Sequence, residues 1–408
     1  MQQSNTNIWI YAHWLGMKQP KLIGILSARQ AKGRKAFSFE YTDHWLQSLE
    51  QVLLDPDIGW FRGQQYPNTK ENFGIFFDSM PDTWGRTLMK RQAGKKLYDI
   101  DFLLGVHDEC RMGGLRFKLH PEGPFLDNSS ENPAPPLSNI RELQHAANLI
   151  EQEQEGDEHY KWLAMLMAPG SSLGGARPKA NLRDEHGDLW IAKFPSAGDT
   201  TDKAAWEYLA HKLAKRAGIT MADAYIKKVA GRYHTFFTKR FDRQSNERIH
   251  FASAMTMTGN SEDILKEKPG SYLEIAEFIQ FAGGNIKADL AQLWKRIVFS
   301  IAISNTDDHM RNHGFILSPK GWILSPAYDI NPSTDKNELA LNIDTESSAL
   351  DMQLAKSVGE YFQLTNNEMD QIIAEVKNIV KDWRSIARNI GIPASEQAIM
   401  APAFETRL

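Results

Sequence analysis

The chain has 408 residues, with 47 Lys and Arg against 51 Asp and Glu, which gives a net charge of −4. At about 100–200 residues per domain, this length predicts two or three domains, and the near-neutral charge does not favour a large surface that coats nucleic acid. The single cysteine excludes an intrachain disulfide framework and a multi-cysteine zinc site. No apolar stretch reaches the roughly 20 residues of a membrane span, and no secretory signal is visible. We therefore expect a soluble, cytosolic protein.

The first segment, residues 1–137, is predicted to be an α/β subdomain. Apolar alternation over residues 8–12 predicts a strand, and residues 22–26 are its expected partner. After Asp43, apolar residues at helical spacing predict a helix as far as Leu53. Residues 120–138 are rich in Pro, Ser and Asn, which is typical of a surface linker and indicates a boundary.

Residues 138–252 are predicted to form a strand-rich lobe, and residues 253–408 a helical one. The former begins with a helix capped by Asn139 and Glu142, and its other helix, over residues 205–217, ends at Gly218. Helices are also expected over residues 272–281, 290–304 and 369–390, the last opened by the capping box of Thr365 and Glu368. The expected class is α+β with two lobes.

The strongest chemical signal lies in residues 304–333, where a polar cluster begins as an apolar helix stops. Asp307 precedes Asn312 by five residues, the D-x-x-x-x-N spacing of a kinase catalytic loop. A predicted hairpin, turning at residues 318–321, then brings Asp329 back beside this loop. One carboxylate can orient an attacking hydroxyl while a second carboxylate and an amide hold Mg²⁺. His309 either braces the loop or is an ordinary structural histidine.

Candidates for the phosphate-binding parts occur upstream in the order that a kinase requires. Residues 170–179 are rich in small residues, so that backbone N–H groups can approach a phosphate, and Arg177 or Lys179 could add charge. Lys193 lies in an apolar strand pattern, and Glu207 on the next helix is its natural partner. Residues 236–243 run from an apolar strand into charged residues, which suits either a connection between lobes that reads adenine or a strand that ends at the surface.

Together these segments resemble the HipA family of serine/threonine kinases, the toxins of HipBA-type toxin–antitoxin pairs. The matching pieces are SSLGGARPKA, WIAKFP, WEYLAHKLAKRAGI, TKRFDR, NTDDHMRNHGF and LSPAYDI. Three segments before residue 120 resemble the family's N-terminal subdomain more loosely. The resemblance implies a HipA-like, two-lobed, protein-kinase-like fold with a strand-rich N-lobe, a helical C-lobe and an N-terminal α/β subdomain.

The resemblance also implies site residues. Asp307 corresponds to the catalytic base, Asn312 and Asp329 to Mg²⁺ ligands, and Glu207 to the partner of the nucleotide lysine, Lys193. The residues implied to bind ATP are Ser172, Leu173, Gly174, Gly175, Ala176, Arg177, Pro178, Lys179, Lys193, Lys239, Arg240, Phe241, His309, Asn312 and Asp329. Ser172 matches the autophosphorylated serine, and a phosphate there would repel ATP and inhibit the enzyme.

The family implies partners as well. Its best-known members phosphorylate an aminoacyl-tRNA synthetase, glutamyl-tRNA synthetase in particular, and bind a small helix-turn-helix HipB-like antitoxin through which they reach DNA. This sequence departs from the family's pattern at two places, which bear on the affinity for ATP and on the identity of the protein substrate. Lys239 stands where many members carry an acidic residue, and SAMTMTGN after Ala252 resembles a HipA-like subgroup.

Two other readings stay open at the level of sequence. The first is a metal-dependent nuclease or phosphohydrolase with Asp307, Asp308, His309 and Asp329 as ligands, although the ordered upstream parts argue against it. The second is a catalytically weak module that acts with a DNA-binding antitoxin.

Overall fold

The computed structural model describes residues 5–31, 34–48, 51–68, 70–131, 133–152, 159–167, 175–245 and 247–406. The chain divides into two compact units: the first comprises Met1–Ala197 and Arg240–Ala252, and the second Gly198–Lys239 and Ser253–Leu408. The three predicted domains are a different division of the chain, and they stay a prediction. Within the described ranges, no helix is long and apolar enough to cross a membrane.

Among the described residues before residue 200, the regular elements are six strands and six helices. In chain order they are β1 (Asn5–Ala12), β2 (Lys21–Ala31), β3 (Arg34–Tyr41), α1 (Asp43–Leu46), α2 (Gly74–Phe77), α3 (Thr83–Ala93), α4 (Asp99–Leu104), β4 (Leu115–Lys118), α5 (Ile140–Glu151), α6 (His159–Met167), β5 (Lys179–Arg183) and β6 (Leu189–Lys193).

The elements after residue 200 are mostly helices. In chain order they are α7 (Lys203–Arg216), β7 (Ala224–Lys227), β8 (Thr235–Lys239), β9 (Arg243–Gln244), β10 (Glu247–Arg248), β11 (Phe251–Ser253), α8 (Ala254–Met257), α9 (Glu262–Glu267), α10 (Tyr272–Ala282), α11 (Ile286–Ile303), β12 (Gly314–Ser318), β13 (Gly321–Leu324), α12 (Met352–Ser357), α13 (Asn366–Val380), α14 (Trp383–Ile390) and α15 (Ala394–Glu405). Short 3₁₀ turns cover Leu137–Asn139, Met310–Asn312 and Gly359–Phe362.

In the first unit, β1 and β2 pair antiparallel, as the sequence predicts, within a sheet of order β3-β2-β1-β4. Alternate side chains along β1, those of Ile8, Ile10 and Ala12, are fully buried. This period of two is what a strand with one buried face requires. A second antiparallel pair, β5 with β6, sets Lys179 opposite Lys193.

Two expectations for this unit are wrong. Helix α1 ends at Leu46 instead of continuing to Leu53. The described residues 51–55 form no helix, and the buried Asp55 accepts hydrogen bonds from the N–H groups of Asp57 and of Ile75 on α2, so this segment is held by contacts outside a helix. Asn139 does not cap α5 with its side chain, because the 3₁₀ turn before the helix gives it a helix-like backbone instead of an extended one.

A buried ion-pair network fixes the end of the first unit. The guanidinium of Arg240 donates two hydrogen bonds to Asp242, at 2.8 and 2.7 Å, and others to the carbonyl of Cys110 and the Asn181 side chain. Asp242 also accepts from the N–H of Gly113 at 2.9 Å. Burial would raise the pKa of Asp242, but Arg240 and Arg243 outweigh it and hold the pKa far below its ordinary value. The network therefore depends on an ionised carboxylate.

The second unit is built around α11, whose side chains from Ile297 to Ile303 are almost completely buried. Helices α10, α13 and α15 pack against it. The predicted end of α7 is confirmed, since Gly218 follows the helix with a positive φ of 73°. The predicted hairpin is confirmed as β12 and β13. The helix expected over residues 369–390 is two helices, α13 and α14, although its capping box of Thr365 and Glu368 is present.

We predict that Asp242→Asn lowers the free energy of unfolding by about 3–5 kcal/mol, because it leaves Arg240 buried without its counter-charge. Denaturant titration of both proteins measures the difference. Asp43→Asn is the matched control, since Asp43 pairs with Arg62 at the surface and should contribute less than about 1 kcal/mol. Equal effects of the two substitutions would contradict the prediction.

Candidate active site

The loop predicted to carry the chemistry is a tight turn that starts where α11 stops. Ser304 ends that helix with a left-handed backbone, φ 51°. The carbonyl of Asp307 then accepts hydrogen bonds from the N–H of His309 at 3.0 Å and from the side-chain amide of Asn312 at 2.9 Å. The Asp307 residue itself is exposed. The turn thus fixes the backbone of Asp307 and presents its carboxylate to solvent.

The next residue, Asp308, anchors this turn in the core. One carboxylate oxygen accepts from the hydroxyls of Tyr272 and Ser300, and the other lies 2.9 Å from Nε2 of His313. Burial raises the pKa of Asp308, but His313 and the hydroxyl groups outweigh it and hold the pKa below its ordinary value. Asp308 is therefore an ionised, fully engaged anchor.

Asp329 is held beside the turn by the segment that follows the hairpin. The hydroxyl of Tyr328 donates to the carbonyl of Arg311 at 2.7 Å, which joins the residue before Asp329 to the residue before Asn312. Asn331 donates its N–H to Asn305 at 3.2 Å and its side-chain amide to Asp329 at 3.2 Å. Asp329 has a left-handed backbone, φ 56°, which is uncommon for a non-glycine residue and is often found at functional sites.

The structure thus places Asp307 and Asn312 in one turn and ties the segment of Asp329 to this turn through Tyr328; the roles of the three residues stay a prediction. The donor set fits Mg²⁺, because Asn312 and Asp329 supply the amide and carboxylate oxygens that this ion prefers. The amide nitrogen of Asn312 is bonded to the turn, which points to its oxygen as the atom for a cation. His309 forms the turn through its backbone, and its predicted contact with nucleotide stays a prediction.

In the first unit, the predicted phosphate loop is described only from Gly175 onward, and Ser172, Leu173 and Gly174 lie outside the described residues. Lys179 is fully buried and paired with Asp82, and it donates to the carbonyl of Gly175 at 2.9 Å. Its charge is therefore compensated within this unit. Gly175 and Ala176 are exposed, Arg177 is half-buried and Pro178 is buried. Lys193 ends β6 and is buried, as its apolar sequence context predicts.

The segment predicted to read adenine has a strong structural role. The guanidinium of Arg240 belongs to the Asp242 network, and the backbone N–H of Arg240 donates to the carbonyl of Leu189 at 2.9 Å. Lys239 and Phe241 are half-buried. Glu207 is buried on α7 in the second unit. The nucleotide contacts of this segment and the pair of Lys193 with Glu207 stay predictions.

Several residues that position the site have no local signal in the sequence. Tyr272, Ser300 and His313 come from separate elements, and Asp82 lies 97 residues before Lys179. The nuclease hypothesis makes Asp308 a metal ligand, but the Asp308 carboxylate is already engaged by Tyr272, Ser300 and His313. Because the Asp308 carboxylate is engaged by these groups, the nuclease hypothesis is not favoured.

The fold and this site define an α+β protein of the protein-kinase-like class. A family model described as the HipA-like C-terminal domain matches residues 171–383, just over half of the chain. The chain belongs to this HipA-like family. The structure of the Shewanella oneidensis MR-1 toxin–antitoxin system HipA, solved with HipB and its operator DNA, has the same fold: its TM-score is 0.69 at 19% identity, and the match covers 97% of this chain and 94% of that one.

Two curated relatives match shorter stretches. A Haemophilus influenzae protein named "Putative kinase" is 28% identical over 182 residues, which are 39% of this chain and 52% of the relative. A Sinorhizobium fredii protein named "Putative kinase Y4dM" is 27% identical over 156 residues, 35% of this chain and 37% of the relative. The chain thus matches about half of the first relative's length and just over a third of the second's.

We predict that Asp308→Asn destabilises the protein at neutral pH by about 3–5 kcal/mol, because it breaks a buried charged cluster. Since folding lowers the pKa of Asp308, its contribution is complete above the ordinary pKa of 3.8 and is lost as the pH falls through the lower folded value. The difference in free energy of unfolding between parent and variant should therefore shrink below about pH 4. The exposed neighbour supplies the control, Asp307→Asn, which should leave stability nearly unchanged. If the difference in free energy of unfolding between the parent and Asp308→Asn stays constant down to pH 2, Asp308 does not act as an ionised anchor.

Proposed function

We propose that this protein is a serine/threonine protein kinase that transfers the γ-phosphate of ATP to a serine of a protein substrate. The observation that carries the proposal is the closed turn, in which the Asn312 amide binds the Asp307 carbonyl and leaves the Asp307 carboxylate exposed. Family membership and the names of the two curated relatives support it.

In the proposed reaction, Asp307 accepts a hydrogen bond from the substrate serine hydroxyl, orients it towards the γ-phosphate and takes up its proton. Asn312 and Asp329 would hold Mg²⁺, which offsets the negative charge of the phosphates. Lys193, with Glu207 as its proposed partner, would add positive charge at the α- and β-phosphates. Phosphoryl transfer depends mainly on such positioning and charge, so these few residues are sufficient.

We further propose that the chain is the toxin of a toxin–antitoxin pair, with a small helix-turn-helix antitoxin that would mediate any contact with DNA. The support is the fold shared with the Shewanella protein, which was solved with HipB and operator DNA. An aminoacyl-tRNA synthetase such as glutamyl-tRNA synthetase is the proposed substrate class, by family resemblance. Phosphorylation of Ser172 is proposed to inhibit the enzyme. A cytosolic location is proposed for the protein as well.

We predict that Asp307→Asn lowers the rate of phosphoryl transfer by at least about 10²–10⁴-fold, because the amide cannot accept the hydroxyl proton. The measurement is the transfer of labelled γ-phosphate from ATP to protein. Asp335→Asn is the matched control, an exposed aspartate of the second unit outside the turn, and should keep the parent rate. A folded Asp307→Asn protein that transfers phosphate at the parent rate would exclude Asp307 as the base.

We also predict that ATP with Mg²⁺ raises the melting temperature, since a ligand that binds only the folded state stabilises it by about 2.7 kcal/mol at 100 times its Kd. Asn312→Ala and Asp329→Ala should reduce the part of the shift that depends on Mg²⁺. The comparison uses protein whose Ser172 is shown by mass spectrometry to be unphosphorylated. No shift at millimolar ATP would favour the catalytically weak module instead.

A further inference from the structure

The helix α7, which carries Glu207, is packed against the last two described helices through the neighbouring residue, Trp206. The Trp206 ring lies 6.1 Å from the ring of Trp383 on α14 and 6.1 Å from that of Phe404 on α15. Trp383 and Phe404 are themselves stacked at 4.7 Å, and all three rings are buried. The face of α7 next to Glu207 is therefore set by an aromatic cluster of the second unit.

One buried carboxylate ties the start of α7 to α15. Oε2 of Glu396 accepts from the indole N–H of Trp206 at 3.1 Å and from the backbone N–H of Asp202 at 3.1 Å. Asp202 in turn caps α7 by accepting from the N–H of Ala205. A buried acceptor that holds two donors is costly to remove, because both donors lose their partner. Glu396 thus fixes the first turn of α7, directly before Glu207, which begins the second turn.

The other end of α15 reaches the catalytic turn. The hydroxyl of Ser304 donates to the carbonyl of Ala403 at 3.0 Å, and this carbonyl is one of the last four of α15, which have no partner within a helix. Ser304 is the left-handed residue between α11 and Asp307. The contacts of Glu396 and Ala403 are seven residues apart, about 10 Å along one helix.

We propose that α15 is a strut that positions two parts of the site at once: the helix of Glu207 and the turn of Asp307. Trp206, Glu396 and Ser304 are its positioning residues. The proposal rests on the proposed function, since it assigns catalytic roles to Glu207 and Asp307. Because one helix is hydrogen-bonded to both parts, loosening either contact should change the placement of a catalytic group without removing it.

The first test compares two substitutions at one position. Glu396→Leu removes the acceptor and should lower kcat/KM for ATP by about 5–10-fold, because both donors that fix the first turn of α7 lose their partner. Glu396→Gln keeps an acceptor oxygen and should retain at least half of the parent value. Thr406→Val is the control, since it removes a hydroxyl bond to Pro402 on the same helix that contacts neither α7 nor the turn. Equal losses in all three variants would refute the strut.

A double-mutant cycle then tests whether Trp206 acts through Glu207. Trp206→Phe keeps the aromatic packing but removes the N–H donor, and alone it should lower kcat/KM for ATP about 5-fold. In a Glu207→Gln background the same change should cost less than about 2-fold, because residues that act as a unit are not additive. A full 5-fold loss in both backgrounds would show that Trp206 does not act through Glu207.

Hydrogen exchange separates this inference from the proposed function. Without ATP, Glu396→Leu should accelerate amide exchange across α7 at least 5-fold, while Glu396→Gln and Thr406→Val should not. Unchanged exchange in α7 would refute the strut, whatever the kinetics show. If exchange responds but the parent protein transfers no phosphate, the strut stands and the proposed function fails.

Discussion

The buried carboxylate of Asp308 is the interaction on which the candidate site depends. Three side chains contact this one charge: Tyr272 of α10, Ser300 of α11 and His313, which directly precedes β12. A buried charge is tolerated only when its hydrogen bonds are satisfied, so these elements must meet in one arrangement. The neighbouring residue, Asp307, is consequently presented at a fixed place while its own side chain stays in solvent.

In two places, one residue makes the buried contacts and the residue next to it in sequence is proposed to act in the reaction. Asp308 anchors and Asp307 is exposed; Trp206 packs and Glu207 follows it on the next position of α7. In the first pair, Asp308 holds the backbone, so that the exposed Asp307 can be placed without being a source of stability itself. Substitutions should therefore separate stability from activity between residues that are adjacent in sequence, which spacing alone does not reveal.

The local features of this fold could be predicted from the sequence, and the long-range ones could not. The pairing of β1 with β2, the hairpin of β12 and β13 and the end of α7 at Gly218 depend on alternation and turn residues within a few positions. The helix expected to reach Leu53 ends at Leu46, and the segment after it is held by a contact that spacing does not reveal, in which the N–H of Ile75 donates to Asp55, 20 residues away.

In the candidate site, too, the local features could be predicted from the sequence and the long-range contacts could not. The D-x-x-x-x-N spacing is local, and the bond between Asn312 and Asp307 explains it physically. The pair of Lys179 with Asp82 and the bond of Ser304 to Ala403 join residues 97 and 99 positions apart. Nothing in the pattern around Lys179 distinguishes a lysine that meets a phosphate from one that meets a buried carboxylate. Sequence reasoning predicted the groups that are proposed for the reaction but not the groups that hold them in place.

The exposed Asp307 is proposed to direct a protein hydroxyl at ATP. This role is tested most directly by incubating the purified chain with Mg²⁺, ATP labelled in the γ-phosphate and a protein extract, and then locating the label by mass spectrometry. We expect label on a serine of one or a few proteins. Label that appears only as inorganic phosphate, with none on protein, would contradict this role.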